Sequence, residues 1–151
     1  TFGKALQMTN ILRDFPKDLE SGRCYIPESH FSKIGVNTAT LTDPSTMGTL
    51  DPILLDYIDQ TVTRFGSGEA YLIAIPRRHF RMRLAVAWPL LIGLKTLQLL
   101  SKNRHWSSAE TMTKVTKRWV YGMMALSCVV ISSNKLLSFF INRIKNGIRP
   151  I

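Results

Sequence analysis

The sequence predicts an all-α protein, a helical bundle, and three observations carry that prediction. Apolar residues recur at helical spacing through most of the chain, no stretch makes a convincing strand, and proline, glycine and asparagine gather in a few connections. With 151 residues and 45% hydrophobic content the chain can bury one sizeable core, and it shows no internal repeat. Four or five helices packed on one another are the architecture these features imply.

The first helix is predicted over residues 1 to about 20, with Gly22 as its natural C-terminal stop. Pro16 lies inside it and is expected to remove one backbone bond and to kink or end the helix near Asp18. An extended polar connection follows from Tyr25 to about Asp51, holding Pro27, Gly35, Asn37, Pro44 and Gly48, with a short helix at Glu28 to Ile34. The next helix runs from about Pro52 to Phe65, where Ile53, Leu54, Tyr57, Ile58, Thr61 and Val62 supply the apolar repeat. Gly66-Ser67-Gly68 reads as a break.

Pro76 is suited to begin a further helix that reaches about Ser101, with Arg77, Arg78, His79, Arg81 and Arg83 in its first turns and apolar residues beyond. Ser107 and Glu110 form a capping-box pair that opens one last helix, residues 108 to about 145. Two apolar stretches raise the question of a membrane span. Leu84 to Leu94 is too short, since Lys95 and Gln98 interrupt it, and Val120 to Ile141 carries Ser132-Ser133-Asn134-Lys135 in its middle. Both read as buried core helices.

A formal charge of +10 and a pI near 10.1 imply an anionic partner: nucleic acid, anionic lipid or a polyphosphate. No zinc-ligand spacing, basic region with heptads or aromatic strand pair is present, so no nucleic acid is expected. Cys24 and Cys128, far apart, read as free thiols of a reducing compartment that serve in packing. His30, His79 and His105 share no ligand spacing, no Ser-His-Asp or Cys-His arrangement is apparent, and Gly66-Ser67-Gly68 alone is weak as a phosphate loop.

The chemistry is concentrated at the start. At 100° per residue, Gln7, Asn10, Asp14 and Asp18 fall within an arc of roughly 80° on one face of the first helix. Amide and carboxylate oxygens in a row suit a hard divalent cation such as Mg²⁺, which binds a few such oxygens, keeps several waters and takes phosphate oxygens from substrate.

Gln7-x-x-Asn10-x-x-Arg13-Asp14-x-x-x-Asp18, followed by Gly22-Arg23-x-Tyr25-x-Pro27, resembles the second aspartate-rich motif of the squalene/phytoene synthases, the trans-isoprenoid synthases that join two prenyl diphosphates head to head. Lys17 stands where many members carry Glu; it lies about 100° from Asp18, so no metal ligand need be lost. Members are roughly twice as long and carry another aspartate-rich motif in their first half. The chain therefore resembles the C-terminal half of one synthase domain, with the N-terminal half of the same protein as its missing partner. An acidic N-terminal half would balance part of the positive charge.

The resemblance implies an isoprenoid-synthase-type fold and Mg²⁺-dependent condensation of two farnesyl or geranylgeranyl diphosphates to squalene, dehydrosqualene or phytoene, with NADPH required if the product is squalene. Asn10, Asp14 and Asp18 would be metal ligands, the two aspartates also catalytic; Gln7 would orient substrate or water, and Arg13 would contact diphosphate. In the resemblance the region of Gly66-Ser67-Gly68 continues into a long helix containing Glu69 to Ile75. The helix through Arg83-Leu84-Ala85-Val86-Ala87-Trp88-Pro89 resembles the one that lines the family's tunnel, so Ala85, Val86, Pro89 and Leu90 would touch prenyl chain. The Arg77–Arg83 cluster admits a solvated helix start, an anionic membrane surface or a diphosphate contact, and Lys114, Lys117 and Arg118 form a similar patch. A cytoplasmic protein, or one peripheral at the inner membrane, is expected, and this chain alone is expected to be inactive. The rival reading is a non-catalytic membrane-associated helical interaction domain that keeps the fold only.

Overall fold

The computed structural model describes residues 1–37, 40, 41, 43, 46, 48–103 and 113–148. Six helices make up its regular structure: α1 (Phe2–Glu20), α2 (Glu28–Ser32), α3 (Asp51–Ala74), α4 (Phe80–Asn103), α5 (Lys117–Val130) and α6 (Asn134–Lys145). A 3₁₀ turn, Gly48–Leu50, leads into α3, and no strand occurs among the described residues. The chain is an all-α helical bundle of the isoprenoid-synthase type.

The centre of the bundle is α4, which packs against α1, α3, α5 and α6, while α1 and α3 also pack on each other. Its sequence explains this position. Ala87, Leu90, Leu91, Leu94 and Leu97 are all fully buried, so apolar side chains occupy more than one face and need neighbours on each. Contrary to the expectation from Leu84 to Leu94, α4 is long and apolar enough to cross a membrane, alone among the described helices, because Lys95 and Gln98 do not end it; 56% of its most apolar window is nevertheless buried within the bundle, as a core helix would be.

Four expectations about the elements change. First, α3 continues through Gly66-Ser67-Gly68 as the family resemblance implied. Glycines weaken a helix, but Gly68 lies under the Phe2 ring of α1, where a Cβ would approach to 2.5 Å; Phe2 meets Phe65 edge-on at 5.9 Å. The packing between α1 and α3 offsets the propensity. Second, of the two effects expected of Pro16, ending the helix does not occur: α1 runs on to Glu20 with Asp18 inside it, and Pro16 is itself buried.

Third, Pro76 does not begin α4. Ile75 before it is extended, at φ −66° and ψ 124°, as a residue preceding proline prefers, and the His79 N–H closes a turn on the Pro76 carbonyl at 2.9 Å. Fourth, the single last helix is two. Thr116 caps α5 by accepting from the Trp119 N–H at 3.3 Å, and Ser133 caps α6 by accepting from the Leu136 N–H at 3.5 Å. The Ser132-Ser133-Asn134 sequence offers the backbone a new start, so the helix breaks there. The expected capping box at Ser107 and Glu110 lies outside the described residues, and so does His105. Cys24 and Cys128 are both exposed free thiols and not packing residues.

Antiparallel and parallel neighbours are fixed by polar ties along α4. Trp88 Nε1 donates to Ser127 Oγ at 2.9 Å, and Gln98 Nε2 donates to the Ile144 carbonyl at 3.2 Å. Arg83 is fully buried; its Nη1 donates to the Ile75 carbonyl and its Nη2 to Asn134 Oδ1, each at 2.7 Å. One guanidinium thus joins the end of α3, the start of α4 and the start of α6. Burial pushes its pKa down, with Arg77 adding to the effect, and its Nε has no partner among the described atoms.

Candidate functional site

α1 buries Ala5, Leu12, Phe15 and Leu19, so the intervening polar residues are turned away from the core. Its C-terminus closes as a Schellman motif: the Gly22 N–H bonds the Leu19 carbonyl at 2.9 Å and the Arg23 N–H bonds the Asp18 carbonyl at 2.7 Å. Gly22 takes φ +70°, which a residue with a Cβ adopts only at a cost. The chain consequently doubles back beside Asp18.

A groove of about 690 Å³ lies along this end of α1. Arg13, Asp14, Lys17, Asp18, Ser21 and Arg23 form one wall, Ile92 and Thr96 of α4 the floor, and Lys114, Val115 and Val120 the other side. The Lys95 ammonium, which donates to Gln98 Oε1 at 2.6 Å, lies 5.6 Å from the Trp119 ring centroid and ties the start of α5 to α4. Burial lowers the Lys95 pKa, and Lys102 adds to that.

Within the groove Arg13 grips its neighbour Asp14 at two points, Nε to Oδ1 at 2.9 Å and Nη2 to Oδ2 at 2.7 Å. This bond holds the Asp14 carboxyl below the usual carboxylate range; partial burial opposes the shift, and the charges of Arg13, Lys17 and Lys114 reinforce it. The same bond raises the pKa of Arg13. Two carboxylates thus sit among Arg13, Lys17, Arg23 and Lys114, a mixture that can take a polyanion and its counter-cation together.

The structure brings Arg13, Asp14 and Asp18 into one groove. Gln7 and Asn10 are exposed on the same helix, beyond the groove lining. On α4, Ala85 is exposed, Val86 and Pro89 are half-buried, and Leu90 is fully buried in the core. Ala85, Val86, Pro89, Ile92 and Thr96 fall within an arc of about 120° and make a stripe that runs into the groove floor over roughly 16 Å. Sequence reasoning did not single out Ser21, Ile92, Thr96, Val115 or Val120, and it quoted Arg23 within the motif without giving it a role. Arg23 was within reach of it, because a glycine at the C′ position turns the next residue back toward the last helical turn. Lys17, expected off the ligand face, also lines the groove.

The model of the squalene/phytoene synthase family matches residues 1–119, which include every residue of the α1 wall and the α4 stripe. The chain belongs to the squalene/phytoene synthase family. It is 33% identical over 76 residues to a 15-cis-phytoene synthase of Enterobacter agglomerans, a match covering 50% of this chain and 26% of that protein. A presqualene diphosphate synthase of Rhodopseudomonas palustris is 33% identical over 79 residues, covering 50% and 27%. A presqualene diphosphate synthase of Zymomonas mobilis is 56% identical over 34 residues, covering 22% of this chain and 12% of that protein. The matches thus span about a quarter of the length of the first two of these relatives.

The oxygen donors suit one face of a Mg²⁺ ion. Asp14 and Asp18 are one helical turn apart on a groove-lining face, and Mg²⁺ takes one or two carboxylates while retaining waters and phosphate oxygens. A closed site made by protein alone is a different matter. Among the described residues no group of three or more His, Cys, Asp or Glu side chains is placed to hold a metal.

Proposed function

We propose that this chain contributes one wall of the active site of a head-to-head prenyl synthase, which condenses two farnesyl or geranylgeranyl diphosphates to squalene, dehydrosqualene or phytoene and releases diphosphate. The observation that carries the reading is the shared groove. Asp14 and Asp18 line it together with Arg13, Lys17, Arg23 and Lys114, and an apolar stripe leads into its floor.

Asp14 and Asp18 would hold Mg²⁺, with Asn10 one turn earlier as a further oxygen donor. Bound there, the ion would act as a Lewis acid that stabilises the departing diphosphate. The remaining work belongs to the chain's own side chains. Arg23, Lys17 and Lys114 would bind phosphate oxygens from the groove walls, and Arg13 would exchange its bond with Asp14 for one to phosphate. Gln7 would orient substrate or water at the outer end of the motif. Ala85, Val86 and Pro89 would lie against the prenyl chain and keep water from the allylic carbon, while Leu90 supports them from the core.

In this reading the chain is the C-terminal half of a synthase domain, and an opposing acidic helix would lie in the other half. On this proposal the 151-residue chain binds Mg²⁺ and diphosphate without turnover. Incubating the full-length product with farnesyl diphosphate and, separately, with geranylgeranyl diphosphate, each with Mg²⁺ and NADPH, and identifying the lipid by mass, tests the reading. A C30 or C40 product supports it, and squalene rather than dehydrosqualene marks NADPH use. No coupled product from either farnesyl or geranylgeranyl diphosphate would overturn it in favour of a binding domain that keeps only the fold.

A further inference from the structure

The groove at the end of α1 holds more cations than carboxylates. Arg13, Lys17, Arg23 and Lys114 line it with Asp14 and Asp18, so four positive groups face two negative ones and the lining carries a net charge of +2. Arg13 and Lys17 come from α1, Arg23 from the turn that follows it, and Lys114 from the segment leading into α5. The last turn of a helix presents about half a negative charge, so by itself this end of α1 repels an anion. Lys17 lies in that turn, where a cation is an ordinary complement to the helix. The arrival of Arg23 on the returning chain and of Lys114 from the far side goes beyond that complement. Lys17 and Lys114 are both near enough to act electrostatically on the Asp14 carboxylate.

The oxygen donors are fewer. Asp14 and Asp18 stand one helical turn apart, and among the described residues no third acidic, histidine or cysteine side chain joins them as a metal-holding group. Mg²⁺ takes one or two carboxylates and fills its shell with water and phosphate oxygens, so these two carboxylates serve one ion. Inorganic diphosphate carries roughly three to four negative charges near neutral pH, at about −1.5 to −2 for each phosphate. One Mg²⁺ raises the net charge of the lining from +2 to +4 and matches that anion. A second ion would bring more positive charge than the ligand balances, with no carboxylate of its own.

We infer that this groove takes a diphosphate together with a single Mg²⁺ ion, and that the Lys17 ammonium, beside Asp14 and Asp18, binds phosphate oxygens in place of a second ion. The inference rests on the function proposed above and adds to it the number of ions and the side chain that limits that number. Lys17 suits the part because its ammonium is a compact charge on a flexible stem, with three donors that need no planar acceptor. It is exposed at the groove wall and reaches a ligand without stranding a buried partner. Arg23 and Lys114 supply the remaining positive charge from the other walls.

The test is equilibrium dialysis of the 151-residue chain against Mg²⁺ and inorganic diphosphate, with magnesium and phosphorus counted per chain by elemental analysis. One Mg²⁺ and one diphosphate per chain are expected. Lys17→Gln should weaken diphosphate binding about 10-fold, the loss of one charge-assisted contact to phosphate, and leave the count at one ion. Lys17→Glu adds a third carboxylate and brings the lining to neutrality, so it should raise the count to two ions per diphosphate and make binding steeper in Mg²⁺ concentration. Lys4→Gln, on the same helix outside the groove, should change neither quantity. Lys4 and Lys17 are both exposed, and an unchanged far-ultraviolet circular dichroism spectrum verifies folding. Two ions per diphosphate in the unaltered chain, full affinity in Lys17→Gln, or a count that stays at one in Lys17→Glu at saturating Mg²⁺ would each overturn the inference. Equal losses in Lys4→Gln and Lys17→Gln would also overturn it, by making the attraction a property of the net charge of +10 and not of the groove. The proposed prenyl transfer would survive those results, since it is judged by the lipid product of the full-length protein. No diphosphate bound in the presence of Mg²⁺ would overturn the ion count and the groove as a diphosphate site together.

Discussion

Arg13 and Asp14 are adjacent in sequence yet form a two-point ion pair on the groove side of α1, Nη2 to Oδ2 at 2.7 Å and Nε to Oδ1 at 2.9 Å. Adjacent helical residues point about 100° apart, so the pair exists only because the long arginine side chain curls back to its neighbour. A carboxylate so engaged must share or release the guanidinium before it takes a cation. On the function proposed above, the pair would couple the arrival of Mg²⁺ at Asp14 to the freeing of Arg13 for phosphate.

The pair sets a pH dependence. A carboxyl held below its ordinary value contributes stability that is present above the unfolded value of about 3.9 and is lost as pH falls through the folded value. Asp14 is therefore expected to titrate below the ordinary range in a carbon-detected NMR titration of the folded chain. Arg13→Gln should bring the midpoint back up, with Lys17 and Lys114 retaining a small part of the depression. A wild-type midpoint at or above the ordinary value would contradict the pairing.

Asp14→Asn and Asp18→Asn should each reduce product formation by the full-length protein by about 100-fold or more, since a Lewis-acid contact is worth several kcal/mol to the developing charge. Both side chains line a groove and neither is in the apolar core, so the melting temperature should move little. Turnover within a few fold of wild type in both variants would remove them from the site.

The bundle was legible because apolar periodicity is a local property, and α1 and most of α3 and α4 follow it closely. The errors arose where distant packing or a competing cap decided the outcome. Gly66-Ser67-Gly68 looks like a break until Phe2 is found lying on Gly68, and the joint between α5 and α6 depends on Ser133 as a cap inside an apolar run. At the site, a helical wheel placed Asp14 and Asp18 together. It could not place Ile92, Thr96 and Lys114 opposite them, because those reach the groove only through the packing of α4 on α1 and the tie from Lys95 to Trp119.

Two glycines should respond oppositely to alanine. At Gly93 a Cβ would stand 2.5 Å from Cζ of Phe65, whose ring is fully buried, so overpacking of about 1–3 kcal/mol should outweigh the gain in helix propensity. At Gly122 nothing lies within 4 Å, and Gly122→Ala should stabilise α5 by about 0.5–1 kcal/mol. Urea unfolding of the two variants measures both signs, and stabilisation by Gly93→Ala would contradict the packing of α3 on α4.

Arg83→Ala should destabilise the bundle by on the order of 2–4 kcal/mol, because it strands the buried Ile75 carbonyl and removes the partner of Asn134. Arg83→Lys should recover only part of this, since one ammonium replaces a planar fork that reaches two acceptors. Thermal unfolding distinguishes the two, and equal stability of Arg83→Ala and wild type would show that the three helix ends are held by apolar packing alone.

Calorimetric titration of the chain with inorganic diphosphate, in the presence and absence of Mg²⁺, tests the shared groove most directly. Saturable binding that requires Mg²⁺, weakens with Arg23→Gln and disappears when Asp14 and Asp18 are both changed to Asn is the expected result. Diphosphate binding of equal strength without Mg²⁺, or retained in the double variant, would show that the cations alone make the site and that the two carboxylates are not its metal ligands.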